Sequence, residues 1–185
     1  MCLNWVMSSI PNLVERALGF ATEAHGRVGH TRKYSGEPYI NHPIEVMAIV
    51  KTASHYTDVM LAAALLHDTI EDTPVTRDEV EREFGSDVAT MVMELTDQCN
   101  EGNRATRKAA EAARLGTISA DAQTVKLADL ISNSSSIVEH DPGFAMIYLR
   151  EKVLILKVMT AGDQGLYARA LAQVAAARES IDFRP

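Results

Sequence analysis

The sequence predicts an all-α fold, a single bundle of roughly eight or nine helices, and three observations carry that reading. Apolar residues recur at intervals of three and four through most of the chain. Alanine is abundant while aromatic residues make up only 5%, a balance that suits close-packed helices better than sheets. No segment alternates convincingly at the two-residue period of a strand, and neither an internal repeat nor a linker divides the 185 residues. The whole chain, 1–185, therefore reads as one domain.

The first helix carries Leu13, Val14, Ala17, Leu18, Ala21 and Ala24 at helical spacing, with Pro11 acceptable in its first turn. "GRVGHTRKYSGEPYIN" is glycine-rich and basic and reads as a loop. Asn41 or His42, before Pro43, starts a second helix bearing Ile44, Met47 and Val50. A third opens near Thr57 and runs on through "LAAALLHDTIED". Thr76 and Glu79 form a capping box for the next, which stops at Gly85, and Ser86 is placed to cap the helix of Val88, Met91, Val92 and Leu95. "NRATRKAAEAARLG" is a helix with a cationic first turn, an arrangement that opposes the helix dipole and hints at a use for those charges. Ser119 caps a helix through "AQTVKLADLISN", interrupted near "HDPG", and two more follow through "FAMIYLREKVLILKVM" and "LYARALAQVAAARESI".

Composition excludes several classes of function. A formal net charge of −7 argues against a protein that coats nucleic acid, because phosphate binding needs an excess of positive field. Cys2 and Cys99 form neither a CxxC motif nor a disulfide framework, so a reducing, cytoplasmic setting is expected. No apolar run approaches the length of a membrane span, and "MCLNWVMSSIPN" lacks the features of a signal peptide. The oligomeric state is left open, and a homo-oligomer is compatible with the chain.

One stretch asks for a chemical explanation. "LAAALLHDTIEDTPVT" ends the most apolar run with one histidine and three carboxylates inside six positions. Acidic groups favour a helix N-terminus, yet these follow the apolar run toward its far end, so a bound cation is the obvious stabiliser. On a continuous helix His67 and Glu71 are four apart, as are Asp68 and Asp72, giving two neighbouring rows on one surface. Other ligand types stand in apolar settings elsewhere: His42 in "PYINHPIEV" and Asp129 in "VKLADLISN", with Asn133 one turn beyond. An isolated charge on such a face is costly, so Asp129 must be paired or bind a metal.

The set "INHP", "ALLHDTIED" and "KLADLISN" resembles the hydrolase domain of the RelA/SpoT homologues, within the HD superfamily of metal-dependent phosphohydrolases. The resemblance runs from about residue 13 to about 180, without a synthetase domain or regulatory tail, and so is to a stand-alone small alarmone hydrolase. It implies one Mn2+ per chain held by His42, His67, Asp68 and Asp129, although spacing alone would also admit zinc or iron. It implies that Glu71 and Asp72 orient or activate the attacking water. The substrate implied is (p)ppGpp, a small nucleotide, whose 3′-pyrophosphate is released to leave GDP or GTP. Arg32 and Lys33 would lie by the base and phosphates, Arg104, Arg107 and Lys108 would reach the phosphates, and Asn133 and Tyr148 would contact the nucleoside.

Three positions depart from the pattern: Leu130 and Ala24 stand where relatives often carry a cation, and "GFAMI" before Tyr148 lacks an arginine. These departures bear on base and phosphate preference, so (p)ppApp or the 2′-phosphate of NADPH remain alternative substrates of the same chemistry. A non-catalytic alarmone-binding protein is the alternative of another class. His25, His55 and His140 read as packing or connecting residues, His30 belongs to the basic loop, and Trp5 and the eight methionines read as packing groups.

Overall fold

A computed structural model describes residues 11–99 and 101–182; Cys2 and Trp5 lie outside the described residues. Within them the chain forms helices α1 (Leu13–Arg27), α2 (Asn41–Val50), α3 (Asp58–Leu66), α4 (Thr69–Asp72) and α5 (Arg77–Phe84). Then come α6 (Ser86–Leu95), α7 (Arg104–Leu115), α8 (Ala120–His140), α9 (Pro142–Val158) and α10 (Gln164–Asp182). The described residues contain no strand beyond an isolated bridge, Thr31 to Pro38, which ties down the basic loop between α1 and α2. The all-α expectation holds. Ten elements appear instead of eight or nine because the expected third helix is two, α3 and the single turn α4.

Capping chemistry explains the element ends. The predicted box of Thr76 and Glu79 is present on α5, and Gly85 stops that helix with φ 88°, a left-handed backbone favoured by glycine. Two expectations are corrected. Pro11 lies outside α1, whose cap is a second box formed by Asn12 and Glu15, an N-x-x-E signal as explicit as the one at Thr76. Gly85, not Ser86, is the N-cap of α6, because the same residue ends α5 and begins α6 with no residue between.

Helix α3 is the centre of the molecule. Every residue from Met60 to Leu66 is buried, and the helix packs against α1, α2, α6 and α8. Three consecutive alanines, Ala62 to Ala64, let neighbouring backbones approach closely on several sides. Around it α8 packs on α2, α9 and α10, and α7 lies against α9. At 25 cal/mol per Å2, burying side chains such as Leu65, Leu66 and Leu127 contributes about 2 kcal/mol each. No helix among the described residues is long and apolar enough to cross a membrane.

Candidate active site

The break after α3 creates the site. The His67 ring nitrogen Nδ1 meets the Ala64 carbonyl at 2.8 Å, and the Thr69 hydroxyl donates to the Leu66 carbonyl at 2.7 Å. Side chains thus satisfy carbonyls that the continuing backbone would have served, and Asp68 turns the chain at φ −100°, ψ −3°. His67 and Asp68 consequently lie at a kink and not on the uniform helical surface expected from sequence. Their functional atoms converge, with His67 Nε2 2.9 Å from an Asp68 oxygen.

A carbonyl can only accept, so His67 carries a proton on Nδ1 and directs Nε2 inward. The same logic governs His42. Its Nδ1 lies 2.9 Å from the Ser132 hydroxyl, which itself donates to Glu45 at 2.9 Å, so the serine oxygen accepts from the ring. Both Nε2 atoms are buried and, although carboxylate oxygens crowd them, neither makes a hydrogen bond of acceptable geometry. They face Asp129, whose nearer oxygen is 3.2 Å from His42 and 3.8 Å from His67. Ligand atoms of His42, His67 and Asp129 lie within 4.8 Å of one another, with all three residues buried.

Two orphaned imidazole nitrogens converging on a buried carboxylate form a site for a divalent metal. Asp68, the fourth expected ligand, is 3.8 Å from His42 Nε2 and accepts a 2.5 Å hydrogen bond from the Tyr39 hydroxyl. The cluster is electrostatically loaded. Burial opposes a charge on His67, but Asp68 and Asp129 outweigh it and push its pKa up to about 9. Asp129 is held far below the usual carboxylate range by Lys126 and the two imidazoles, against the opposing effect of burial. Lys126 donates to it at 2.8 Å.

Glu71 and Asp72 follow on α4, with their carboxyls beside this cluster. Partial burial, then the charges of Asp68 and Glu71, push Asp72 up to about 6. Partial burial raises Glu71 also, while the Asp97 backbone N–H donates to it at 3.2 Å. Carboxyls raised toward neutrality beside a metal site are chemically suited to accept a proton from water.

Two cavities meet here. One of about 260 Å3 is lined by Asp68, Glu71, Asp72, Asp129, Lys126 and Tyr148 among others. The second, of about 240 Å3, is lined by His30, Arg32, Lys33, Tyr34, Ile137 and Phe144. Tyr39 and Asn133 line both, which makes them the wall between the two spaces. Asn133 joins the halves electrostatically, donating to Asp129 at 2.7 Å and accepting from Arg32 at 3.3 Å.

The other predicted residues fall in different places. Lys33 is exposed, and its ammonium sits 4.8 Å from the Tyr34 ring centre and 5.8 Å from that of Phe144. Lys108 lines the first cavity but is paired with Asp97 at 3.0 Å. Arg104 is clamped by Glu151 at 2.7 Å and lies over Phe144. Arg107 is not brought to either cavity: it folds back on the Gly102 carbonyl at 2.9 Å. Ala24, expected near substrate, is buried and lines a separate pocket with Phe20 and Pro74. Leu130 does line the first cavity.

Sequence reasoning missed Tyr39, Lys126, Glu45 and Ser132. Spacing was a usable signal for three of them: Lys126 and Ser132 each stand three residues from Asp129, and Glu45 stands three from His42. His25 is more than a bland packing residue, because its ring contacts His30 and Tyr39, and Tyr39 stacks on His30 at 3.7 Å. His140 stacks on Tyr34 at 5.5 Å.

A broken central helix that presents His-Asp to a second histidine and a distant aspartate defines a class of all-α metal site. The chain belongs to the HD domain family, whose model matches residues 17–143. It is similar to the human guanosine-3′,5′-bis(diphosphate) 3′-pyrophosphohydrolase MESH1, 42% identical over 127 residues, 68% of this chain and 69% of that one. It is also similar to the GTP pyrophosphokinase rsh of Brucella abortus, 37% identical over 131 residues, but spans only 17% of that protein's length. Among solved structures, one described as a metazoan ortholog of SpoT that hydrolyzes ppGpp superposes with a TM-score of 0.81. It is 26% identical, over 91% of this chain and 98% of that one. A structure from Listeria monocytogenes EGD-e, 24% identical over 76% and 99% of the two chains, shares the fold at a TM-score of 0.62.

Proposed function

We propose that this protein is a manganese-dependent hydrolase that removes the 3′-pyrophosphate of (p)ppGpp, leaving GDP or GTP. The observation that carries the reading is the pair of buried, unpartnered Nε2 atoms of His42 and His67 aimed at Asp129, beside Glu71 and Asp72. The names of the relatives support the same chemistry. In this reading His42, His67, Asp68 and Asp129 hold one Mn2+ per chain. A bound divalent cation supplies Lewis acidity and lowers the pKa of water.

The Glu71–Asp72 pair orients the attacking water and one of the two carboxylates accepts its proton, while Tyr39 holds Asp68 in position through its hydroxyl. The second cavity takes the nucleoside, with Arg32, Lys33 and Phe144 offering cationic and aromatic faces to a purine. Lys108 and Arg104 face the phosphates once released from Asp97 and Glu151, while Arg107 contributes at most long-range charge. Residues 1–185 act as one domain, in the cytoplasm, with a small nucleotide as partner.

Incubation with ppGpp and Mn2+ should yield GDP and pyrophosphate by chromatography and 31P NMR. Elemental analysis should find one Mn2+ per chain, and Asp129→Ala should lose both metal and activity while keeping its helical circular dichroism. Full metal occupancy in that variant would defeat the ligand assignment. A second reading, the adenine alarmone, is favoured by a nucleoside cavity whose aromatic and guanidinium faces stack on either purine. A preference for ppGpp over ppApp below roughly a hundredfold is expected, equivalent to about 2.7 kcal/mol. Phosphate release from NADPH alone would replace the alarmone by that substrate. Tight ppGpp binding without turnover would make this a binding protein.

A further inference from the structure

Cations on the wall of the 260 Å3 cavity are of two kinds. Lys108 and Lys126 each face a carboxylate, at 3.0 Å and 2.8 Å. Lys152, on α9, does not. Its side chain is 1% exposed, and its ammonium meets only neutral oxygens: the Ser134 hydroxyl at 2.5 Å, the Leu130 carbonyl at 3.2 Å and the Gln173 amide at 3.5 Å. Among the described residues it enters no ion pair, and burial pushes its pKa down to about 8 against the more distant pull of Asp129. A buried ammonium without a counter-ion is costly and asks for a reason.

Structure alone does not supply that reason. The Leu130 carbonyl already accepts from the Ser134 hydroxyl at 2.6 Å, so α8 keeps that bond without Lys152. One turn before Lys152, on the same face of α9, the Tyr148 hydroxyl is buried, has no hydrogen-bond partner and lines the same cavity. An unneutralised ammonium and a hydroxyl donor one turn apart on the same helix, both lining one cavity, are the complement of phosphate oxygens, to which charge-assisted hydrogen bonds are short and strong.

We propose that Lys152, with the Tyr148 hydroxyl one turn from it, forms an anion subsite on the α9 wall of the cavity that receives a phosphate group of the substrate, a refinement that rests on the hydrolase reading above. The phosphate comes either from the pyrophosphate that leaves or from the 5′-diphosphate that stays. Lys152 then adds to this cavity a positive charge that no carboxylate among the described residues pairs with.

Calorimetric titration of the Mn2+-loaded protein with inorganic pyrophosphate and with GDP, at fixed free Mn2+, tests it. Lys152→Met should weaken one of the two by about tenfold or more, the scale of a hydrogen bond to a charged group, with Tm unchanged or raised because a buried charge is gone. The ligand that weakens identifies which phosphate occupies the subsite. Affinities for both within about twofold of wild type would overturn the proposal. Should Lys152→Met not fold, NMR of the lysine side chains in the wild-type protein decides: the Lys152 pKa should rise on saturation with the anion, and an unmoved titration overturns the subsite. Wild type that turns over ppGpp while the variant matches it would sink the subsite and leave the hydrolase reading standing. Wild type that neither binds these anions nor turns over ppGpp would sink both.

Discussion

A carboxylate can take a proton from water only while it is ionised, and at Asp72 the surroundings oppose ionisation. Its folded pKa of about 6 lies above the ordinary carboxylate value, so the base form is lost as pH falls through that range. A bound cation draws the value down, which places the acidic limb of the kcat profile at or below about pH 6. Asp72→Asn should remove that limb. In the metal-free protein the same variant should be the more stable at pH 7: a raised carboxyl destabilises the fold as pH rises past its unfolded value, and the amide does not ionise. Glu71→Gln and Asp72→Asn should each lower kcat by about 10²-fold or more with Mn2+ retained, measured by steady-state kinetics and elemental analysis together. Near wild-type rates would leave the pair as solvated helix-end charges. These residues were legible in the sequence because a run of acidic groups after an apolar segment is conspicuous. Tyr39 was not: its part depends on which carboxylate its hydroxyl reaches, 29 positions away.

At the scale of elements, caps and spacing located nearly every helix, and the failures are local. The sequence periodicity is continuous through His67, yet side-chain bonds to the Ala64 and Leu66 carbonyls separate α3 from α4. Two elements allow quantitative tests. The hydroxyl of Thr76 accepts from the Glu79 N–H, and Thr76→Ala should cost about 1 kcal/mol in urea denaturation. Gly162, in the turn between α9 and α10, brings the chain against α8. A Cβ there would sit 2.9 Å from a Leu127 methyl and 3.1 Å from backbone atoms of Gln123 and Thr124. Gly162→Ala should therefore destabilise by about 1–3 kcal/mol, because backbone cannot step aside as a flexible side chain can. An unchanged midpoint would show that the α9–α10 turn is free to shift.

At the scale of the whole molecule the proposed metal site is a clasp across three parts of the chain: α2 brings His42, the α3–α4 break brings His67 and, beside it, Asp68, and α8 brings Asp129. A cation that binds only the folded arrangement stabilises it by about 2.7 kcal/mol when present at about a hundred times Kd. Scanning calorimetry with and without chelator should show a fall in Tm of about 5–10 °C for a protein of this size, and the Asp129→Ala variant should show none. The amino-acid sequence by itself determined the all-α class, the order of the helices and the candidate ligand residues, because apolar spacing, caps and rare polar groups in apolar runs are local signals. Only the tertiary structure decided which groups face one another. Arg107 turns away from the cavity while Lys152, read as part of an apolar helix, ends beneath it. Packing of α9 against α7 and α8 sets that arrangement, and no spacing within any one of these helices records it.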